Sequence, residues 1–209
     1  MAEEIKDEIA CWEIIERRVV YSDHQITVNS HIYRTTWGVI VDDYPTMEFR
    51  DWAAVIALTP DFEIVLIRTY RPGAHRIFTE PPGGRIDEGE DPAAAAAREL
   101  KEETGYEADP LIPLPVVMAA PGRYATCAYG YLAFNAKPVA DRALESGEEL
   151  ELLTMPFADY LAEMTNGAEP VNACHLAMMQ CAANHILQMR DKPLEPLRES
   201  IRRVFAGQP

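Results

Sequence analysis

Glu99, Glu102 and Glu103 are separated by three and four residues, a spacing that puts them on one face of any helix that contains them. Like charges at that spacing destabilise a helix, so something must offset their repulsion. Mg²⁺ is a natural candidate, because it takes carboxylate oxygens, waters and phosphate oxygens together. The cluster follows a tight glycine turn at Gly83-Gly84, and the two features together can hold divalent metal against a diphosphate. Arg98 can pair with Glu102 four residues on and reach back to Glu90. The bland alternative is a solvated acidic helix face. The spacing speaks against it: Gly84, five residues, Glu90, seven residues, Arg98-Glu99-Leu100, one residue, Glu102-Glu103, one residue, Gly105-Tyr106. Seven fixed residue types at fixed spacing arise by chance on the order of 10⁻⁸ per start position at average residue usage.

The elements that must position these groups can be read around them. Asp91-Pro92 predicts a helix start: Asp caps, and Pro fits the first helical position, where its missing N–H has no intrahelical partner. Ala93 to Ala97 has the highest helix propensity available, and Gly105 supplies a left-handed stop after about Glu103 or Thr104. Residues 53–58 and 63–70 read as strands joined by a turn at Pro60-Asp61. Upstream, residues 12–21 and 25–41 are rich in β-branched and aromatic residues and also read as strands. Downstream, 111–119 and 127–135 read as strands around a Pro121-Gly122 loop, 136–149 as an acidic loop and 150–154 as a short strand. Pro156 to Met164 and 171–190 read as helices separated by Asn166-Gly167. The second of these, apolar from Ala173 through Leu176, Met179 and Ala183 to Leu187, is predicted to be buried or at an interface. The tail from Lys192, with Pro193 and Pro196, reads as a short extension.

Of the 209 residues, 34 are Asp or Glu and 19 are Lys or Arg, a net charge of −15. That balance argues against nucleic acid or an anionic membrane surface as partner. An anionic substrate must then be attracted locally, by bound metal and a few arginines. Arg71 is the best candidate, since a guanidinium grips phosphate bidentately. Cys11, Cys127, Cys174 and Cys181 show no metal-binding or disulfide spacing. Residues 1–8 lack the basic-then-apolar layout of a signal peptide, and no apolar run approaches a membrane span, so a cytoplasmic protein is expected. Trp12, Trp37 and Trp52 read as core or interface residues, and His31, His75, His175 and His185 as structural or exposed.

The stretch from Gly84 to Tyr106 resembles the Nudix box of the Nudix hydrolases, G-x5-E-x7-R-E-U-x-E-E-x-G-U with U usually aliphatic. Every fixed position matches; Tyr106 at the last U is the one departure. Residues 51–84, ending in Glu80-Pro81-Pro82-Gly83-Gly84, are similar to the corresponding segment of ADP-ribose pyrophosphatase-type members. Pro121, sixteen residues after Gly105, resembles the proline that marks ADP-ribose hydrolysing members. The Thr-Glu that often follows is replaced here by Arg123-Tyr124-Ala125-Thr126-Cys127.

The resemblance implies the Nudix fold, a mixed β-sheet core sandwiched between helices, preceded by an N-terminal β-strand subdomain. The expected division is 1–50 for that subdomain, with a role in homodimerisation, 51–190 for the catalytic domain and 191–209 for a C-terminal extension. It implies Mg²⁺, or Mn²⁺, held by Glu99, Glu103 and Glu102 with the carbonyl of Gly83, while Glu90 and Arg98 support the loop. It implies a further catalytic carboxylate in the acidic loop, for which Glu148 is the best match and Glu145 and Glu149 are rivals. Glu148 or Glu102 would take the proton of the attacking water, Arg71 would bind phosphate, and Pro121 would be a second substrate-binding residue. The reaction implied is cleavage of the diphosphate of a nucleoside diphosphate linked to another group, first of all ADP-ribose to AMP and ribose 5-phosphate. Hydrolysis of a GDP-sugar or other nucleotide sugar, or of a dinucleoside polyphosphate, is the alternative within enzymes. Oxidised nucleoside triphosphates come behind these. A non-catalytic ligand-sensing module is disfavoured, because all the box carboxylates are present and no basic recognition helix is visible.

Overall fold

The computed structural model describes residues 8–144, 147–167 and 169–208. By its internal contacts the chain divides into two units. One takes the described residues through Arg50 together with Met118–Thr126; the other takes Asp51–Val117 and the described residues from Cys127 onward.

The first unit is an antiparallel sheet of β1 (Glu13–Ser22), β2 (Ile26–Arg34) and β3 (Ile40–Phe49), in that order. The single strand expected over 25–41 is broken in the middle. Gly38 takes a left-handed φ of 81° and donates its N–H to the Thr35 carbonyl at 3.0 Å, which turns the chain back as β3. Pro45 is tolerated within β3 because that strand is an edge. The 118–126 segment is tied to β3: Met47 N–H donates to the Arg123 carbonyl at 2.8 Å and the Tyr44 hydroxyl to the Gly122 carbonyl at 2.7 Å. The Arg123 guanidinium also lies 3.9 Å from the Tyr44 ring centroid, a cation–π contact. All of β1 is exposed, including Ile14, Val19 and Val20.

The second unit opens with β4 (Trp52–Ala57), β5 (Glu63–Arg71), β6 (Arg76–Glu80) and β7 (Gly83–Arg85). Helix α1 (Pro92–Thr104) follows, then β8 (Tyr106–Glu107), β9 (Ile112–Pro113), β10 (Ala128–Ala133), β11 (Lys137–Pro138) and β12 (Leu150–Pro156). Helices α2 (Phe157–Thr165), α3 (Ala173–Gln188) and α4 (Glu195–Phe205) complete it. The central sheet runs β7-β4-β10-β9 and is mixed, because β4 and β10 are parallel while the outer pairs are antiparallel. A second sheet runs β12-β5-β6, and β8 pairs with β11.

Burial on both faces explains why β4 is an unbroken apolar run. Its side chains alternate. Ala53, Val55 and Ala57 pack with Ala95, Ala96 and Leu100 of α1. Ala54 and Ile56 pack with Leu161 of α2, Met178 and Met179 of α3, and Leu197 and Ile201 of α4. The sheet core therefore lies between α1 on one side and α2 to α4 on the other, as expected for the fold.

Local chemistry corrects one reading and specifies another. Of the strand expected over 111–119, Ile112–Pro113 pairs with β10 and Val117 makes an isolated antiparallel bridge to Ala128; the ladder is interrupted between them, where Pro113 and Pro115 have no N–H to donate. The tail from Lys192 is helical: Pro193 and Pro196 occupy first-turn positions, where proline is favoured, and the helix that follows buries Leu197 and Ile201. Among the described residues, no helix is long and apolar enough to cross a membrane.

Candidate active site

Helix α1 begins and ends where its capping chemistry requires. Asp91 Oδ1 accepts from Ala93 N–H at 2.9 Å and Ala94 N–H at 3.1 Å, with Pro92 in the first turn. Gly105, at φ 75°, closes the helix by donating its N–H to the Lys101 carbonyl at 2.8 Å. The helix buries Ala95, Ala96, Leu100, Glu103 and Thr104. A carboxylate thus sits on the core-facing side.

The glycine turn meets this face closely. β7 pairs with β4 at Gly83 opposite Ala54 and Gly84 opposite Ala53. Gly83 N–H donates to Glu103 Oε2 at 2.8 Å. A Cβ on Gly84 would collide with the Glu99 carboxylate, so glycine is what permits the approach.

Arg98 organises the remaining carboxylates. It grips Glu90 through two nitrogens, at 2.9 and 3.1 Å, and its Nη1 donates to Glu99 at 2.8 Å and Glu102 at 3.0 Å. Its other terminal nitrogen donates to the Arg85 carbonyl at 3.1 Å. Glu90 also accepts from Asp87 N–H at 2.9 Å, closing the loop that leads into α1. The pairings of Arg98 with Glu102 and Glu90 are those the spacing predicted.

The electrostatics of the face are unbalanced. Glu103 is 5% exposed, and burial pushes its carboxyl up to about 8; Gly83 N–H and Arg71 oppose this, while Glu99 and Glu148 add to it. Burial also raises the Glu99 carboxyl, with Arg98 opposing and Glu102 and Glu148 reinforcing. Glu90, by contrast, is held below the usual carboxylate range by Arg98 and the Asp87 N–H. Glu148 is therefore within electrostatic reach of both Glu99 and Glu103. Glu149 is exposed, and Glu145 lies outside the described residues. Hard carboxylate oxygens in excess of their cationic partners, one of them buried, make a donor set that fits a divalent ion such as Mg²⁺. Among the described residues, no three such groups stand close enough to ligate one ion in this conformation. Arg98 draws Glu99 and Glu102 to itself, so an ion must compete with it for them.

Arg71, at the end of β5, donates from Nε to Glu80 at 2.7 Å, and its charge is felt at Glu103. Pro121 lies on an exposed turn of the first unit. Glu80, Asn172 and His175 were not read from the sequence as site residues. Glu80 stood in the turn before the glycines, but nothing in its neighbours announced that it is 2% exposed. His175, read as structural or exposed, is buried at 3%. Asn172 carried the one usable signal, a helix-capping residue type before a helical run.

With this geometry in view, comparison with known proteins gives consistent matches. The family model described as the NUDIX domain matches residues 49–173. The ADP-ribose pyrophosphatase of Bacillus subtilis (strain 168) is 31% identical over 109 residues, covering 52% of this chain and 59% of that protein. The chain thus spans less than two thirds of that relative. The putative nudix hydrolase 2 of Caenorhabditis elegans is 34% identical over 163 residues, covering 72% of this chain and 69% of that protein. A crystal structure of an ADP compounds hydrolase superposes with a TM-score of 0.74 at 22% identity, covering 87% of this chain and 97% of that one, which establishes a shared fold.

Proposed function

Because the chain belongs to the NUDIX domain family, we propose that it is a divalent-metal-dependent pyrophosphohydrolase that cleaves ADP-ribose to AMP and ribose 5-phosphate. The observation that carries this reading is the seating of Glu99 and Glu103 on the Gly83-Gly84 turn, with Arg71 within electrostatic reach. The ADP-ribose preference is taken from the Bacillus relative's name and from Pro121.

We assign the holding of Mg²⁺, or Mn²⁺, to Glu99, Glu102 and Glu103 with the Gly83 carbonyl. The ion, when bound, neutralises diphosphate charge and acidifies the attacking water. The chain's own groups do the rest. Glu148, or Glu102 on the helix, accepts the water's proton. The water oxygen attacks one phosphorus in line as the bond to the bridging oxygen breaks, and the other phosphate leaves. Arg71 donates to phosphate oxygens as charge develops on them. Arg98 and Glu90 hold the loop between β7 and α1, so that Glu99 and Glu102 keep their places on the helix.

Two further assignments belong to this reading. β1, exposed along its whole length with Ile14 57%, Val19 55% and Val20 61% exposed, offers apolar surface of the kind that pairs with a second copy, and we assign the first unit to a homodimer interface. Cys11, Cys127, Cys174 and Cys181 are free thiols, which suits a reducing compartment, and we place the protein in the cytoplasm.

The test is release of phosphatase-sensitive products from ADP-ribose, a GDP-sugar and a dinucleoside polyphosphate, with Mg²⁺ and with chelator. Metal-dependent cleavage led by ADP-ribose supports the reading. Activity confined to another member of the panel keeps the chemistry and overturns the substrate.

A further inference from the structure

One buried polar cluster lies outside the acidic face of α1. Glu80, the last residue of β6, is 2% exposed. Its Oε2 accepts from Arg71 Nε at 2.7 Å and its Oε1 from Asn172 Nδ2 at 3.2 Å. His175 Nδ1 stands 3.3 Å from the same Oε1, within ion-pair range but without the alignment of a hydrogen bond. A buried carboxylate is costly unless its charge is matched. Burial opposes ionisation of Glu80, but the neighbouring His175 ring and the Arg71 guanidinium outweigh it and hold the carboxyl below the usual carboxylate range.

The far side of this carboxylate is rigid. Asn172 caps α3, its Oδ1 accepting from Cys174 N–H at 3.0 Å and His175 N–H at 3.4 Å, while its Nδ2 serves Glu80. His175, in the first turn of α3, meets the Trp52 ring edge-on at a centroid distance of 5.2 Å and an angle of 87°. Glu80 is thereby fixed to the start of a 16-residue helix packed in the core.

The near side is different. The Arg71 side chain is 47% exposed, and among the described residues Glu80 is its only hydrogen-bond partner. That bond uses Nε and leaves both terminal nitrogens for a ligand. An untethered surface arginine loses rotamer freedom when it grips a phosphate; one already held through Nε loses less.

We propose that Glu80, anchored by Asn172 and His175, is a positioning residue that presents the Arg71 guanidinium to the substrate's diphosphate. This rests on the pyrophosphohydrolase reading given above. It assigns to Glu80 an effect on turnover exerted wholly through Arg71.

The test is a double-mutant cycle with Arg71→Ala and Glu80→Gln, read in ADP-ribose hydrolysis and, independently of turnover, in calorimetric binding of inorganic pyrophosphate with Mg²⁺. Each single variant should lose about 10- to 100-fold in kcat/KM and weaken pyrophosphate binding by a similar factor, the range expected for a charge-assisted phosphate contact. The double variant should be within about threefold of Arg71→Ala alone, because a tether has no further effect once its guanidinium is gone. Glu80→Asp, which keeps the charge on a shorter arm, should recover part of the loss, and it takes the place of Glu80→Gln if that variant does not fold. Multiplicative losses in the double variant overturn the proposal, as does an Arg71→Ala protein unchanged in both assays. A wild type that hydrolyses no ADP-ribose but shows the coupling in pyrophosphate binding defeats the substrate reading and leaves the proposal standing. Robust hydrolysis with additive losses does the reverse.

Discussion

Glu103→Gln should make the metal-free protein more stable at alkaline pH while destroying its activity. The wild-type carboxyl is 5% exposed and pushed from 4.5 up to about 8, chiefly by burial. A carboxyl whose folded pKa is raised gives stability that is complete below its unfolded pKa. That stability is lost as pH rises through the folded value, because the unfolded chain releases the proton first. The loss should therefore fall between about pH 4.5 and pH 8. Each tenfold in proton affinity is worth about 1.4 kcal/mol, so the shift from 4.5 to about 8 sets a ceiling of roughly 5 kcal/mol. Glutamine has the shape of the protonated acid and keeps an acceptor for Gly83 N–H, but it never ionises. The two proteins, in chelator, should melt together near pH 5 and diverge above it. At about 2–4 °C per kcal/mol for a chain of this size, the variant should melt roughly 10 °C higher at pH 8.5. Mg²⁺ added at pH 8.5 should raise the wild-type Tm and move the variant little, since the ion stabilises only what it binds. Thermal melts followed by circular dichroism read all of this. Parallel pH profiles for the two proteins would refute the reasoning, because the difference between them isolates one titrating group.

Three other outcomes follow from the geometry. Arg98→Ala leaves Glu90, Glu99 and Glu102 without their shared counter-charge; it should cost about 2 kcal/mol in urea unfolding, partly recovered by Mg²⁺. Glu148→Gln should lower kcat about 100-fold with KM little changed if Glu148 takes the water's proton, whereas an unchanged rate moves that role to Glu102, Glu145 or Glu149. Val20→Glu, on the exposed β1, should convert a dimer to monomer in sedimentation, and a dimer that persists would exclude β1 from the interface.

The box helix was the most legible part of the chain. Asp91, Pro92 and Gly105 each carry a signal local to one turn, and each performs the expected role. Helical spacing also placed Glu99, Glu102 and Glu103 together, but it could not rank them. Their difference arises from packing: Glu103 faces the core and accepts from Gly83, while Glu102 keeps 38% of its side chain exposed and turns to Arg98. The turn at Thr35–Val39 and the interrupted ladder between Pro113 and Val117 depend on backbone details that a β-rich composition obscures. The helix in the Pro-containing tail was not legible, because prolines that interrupt one helix can begin another. Glu80 and His175 were the least legible. Their role comes from the arrival of α3 beside β6, some ninety positions away in the chain, and no short-range pattern encodes such a meeting.

The most direct measurement is ADP-ribose turnover by wild type and Glu103→Gln across a Mg²⁺ titration. Wild type should show no turnover in chelator and saturable activation by Mg²⁺, and the folded variant should lose at least about 100-fold in kcat at any Mg²⁺ concentration. Equal turnover by the two proteins, or wild-type turnover undiminished by chelator, would contradict the account.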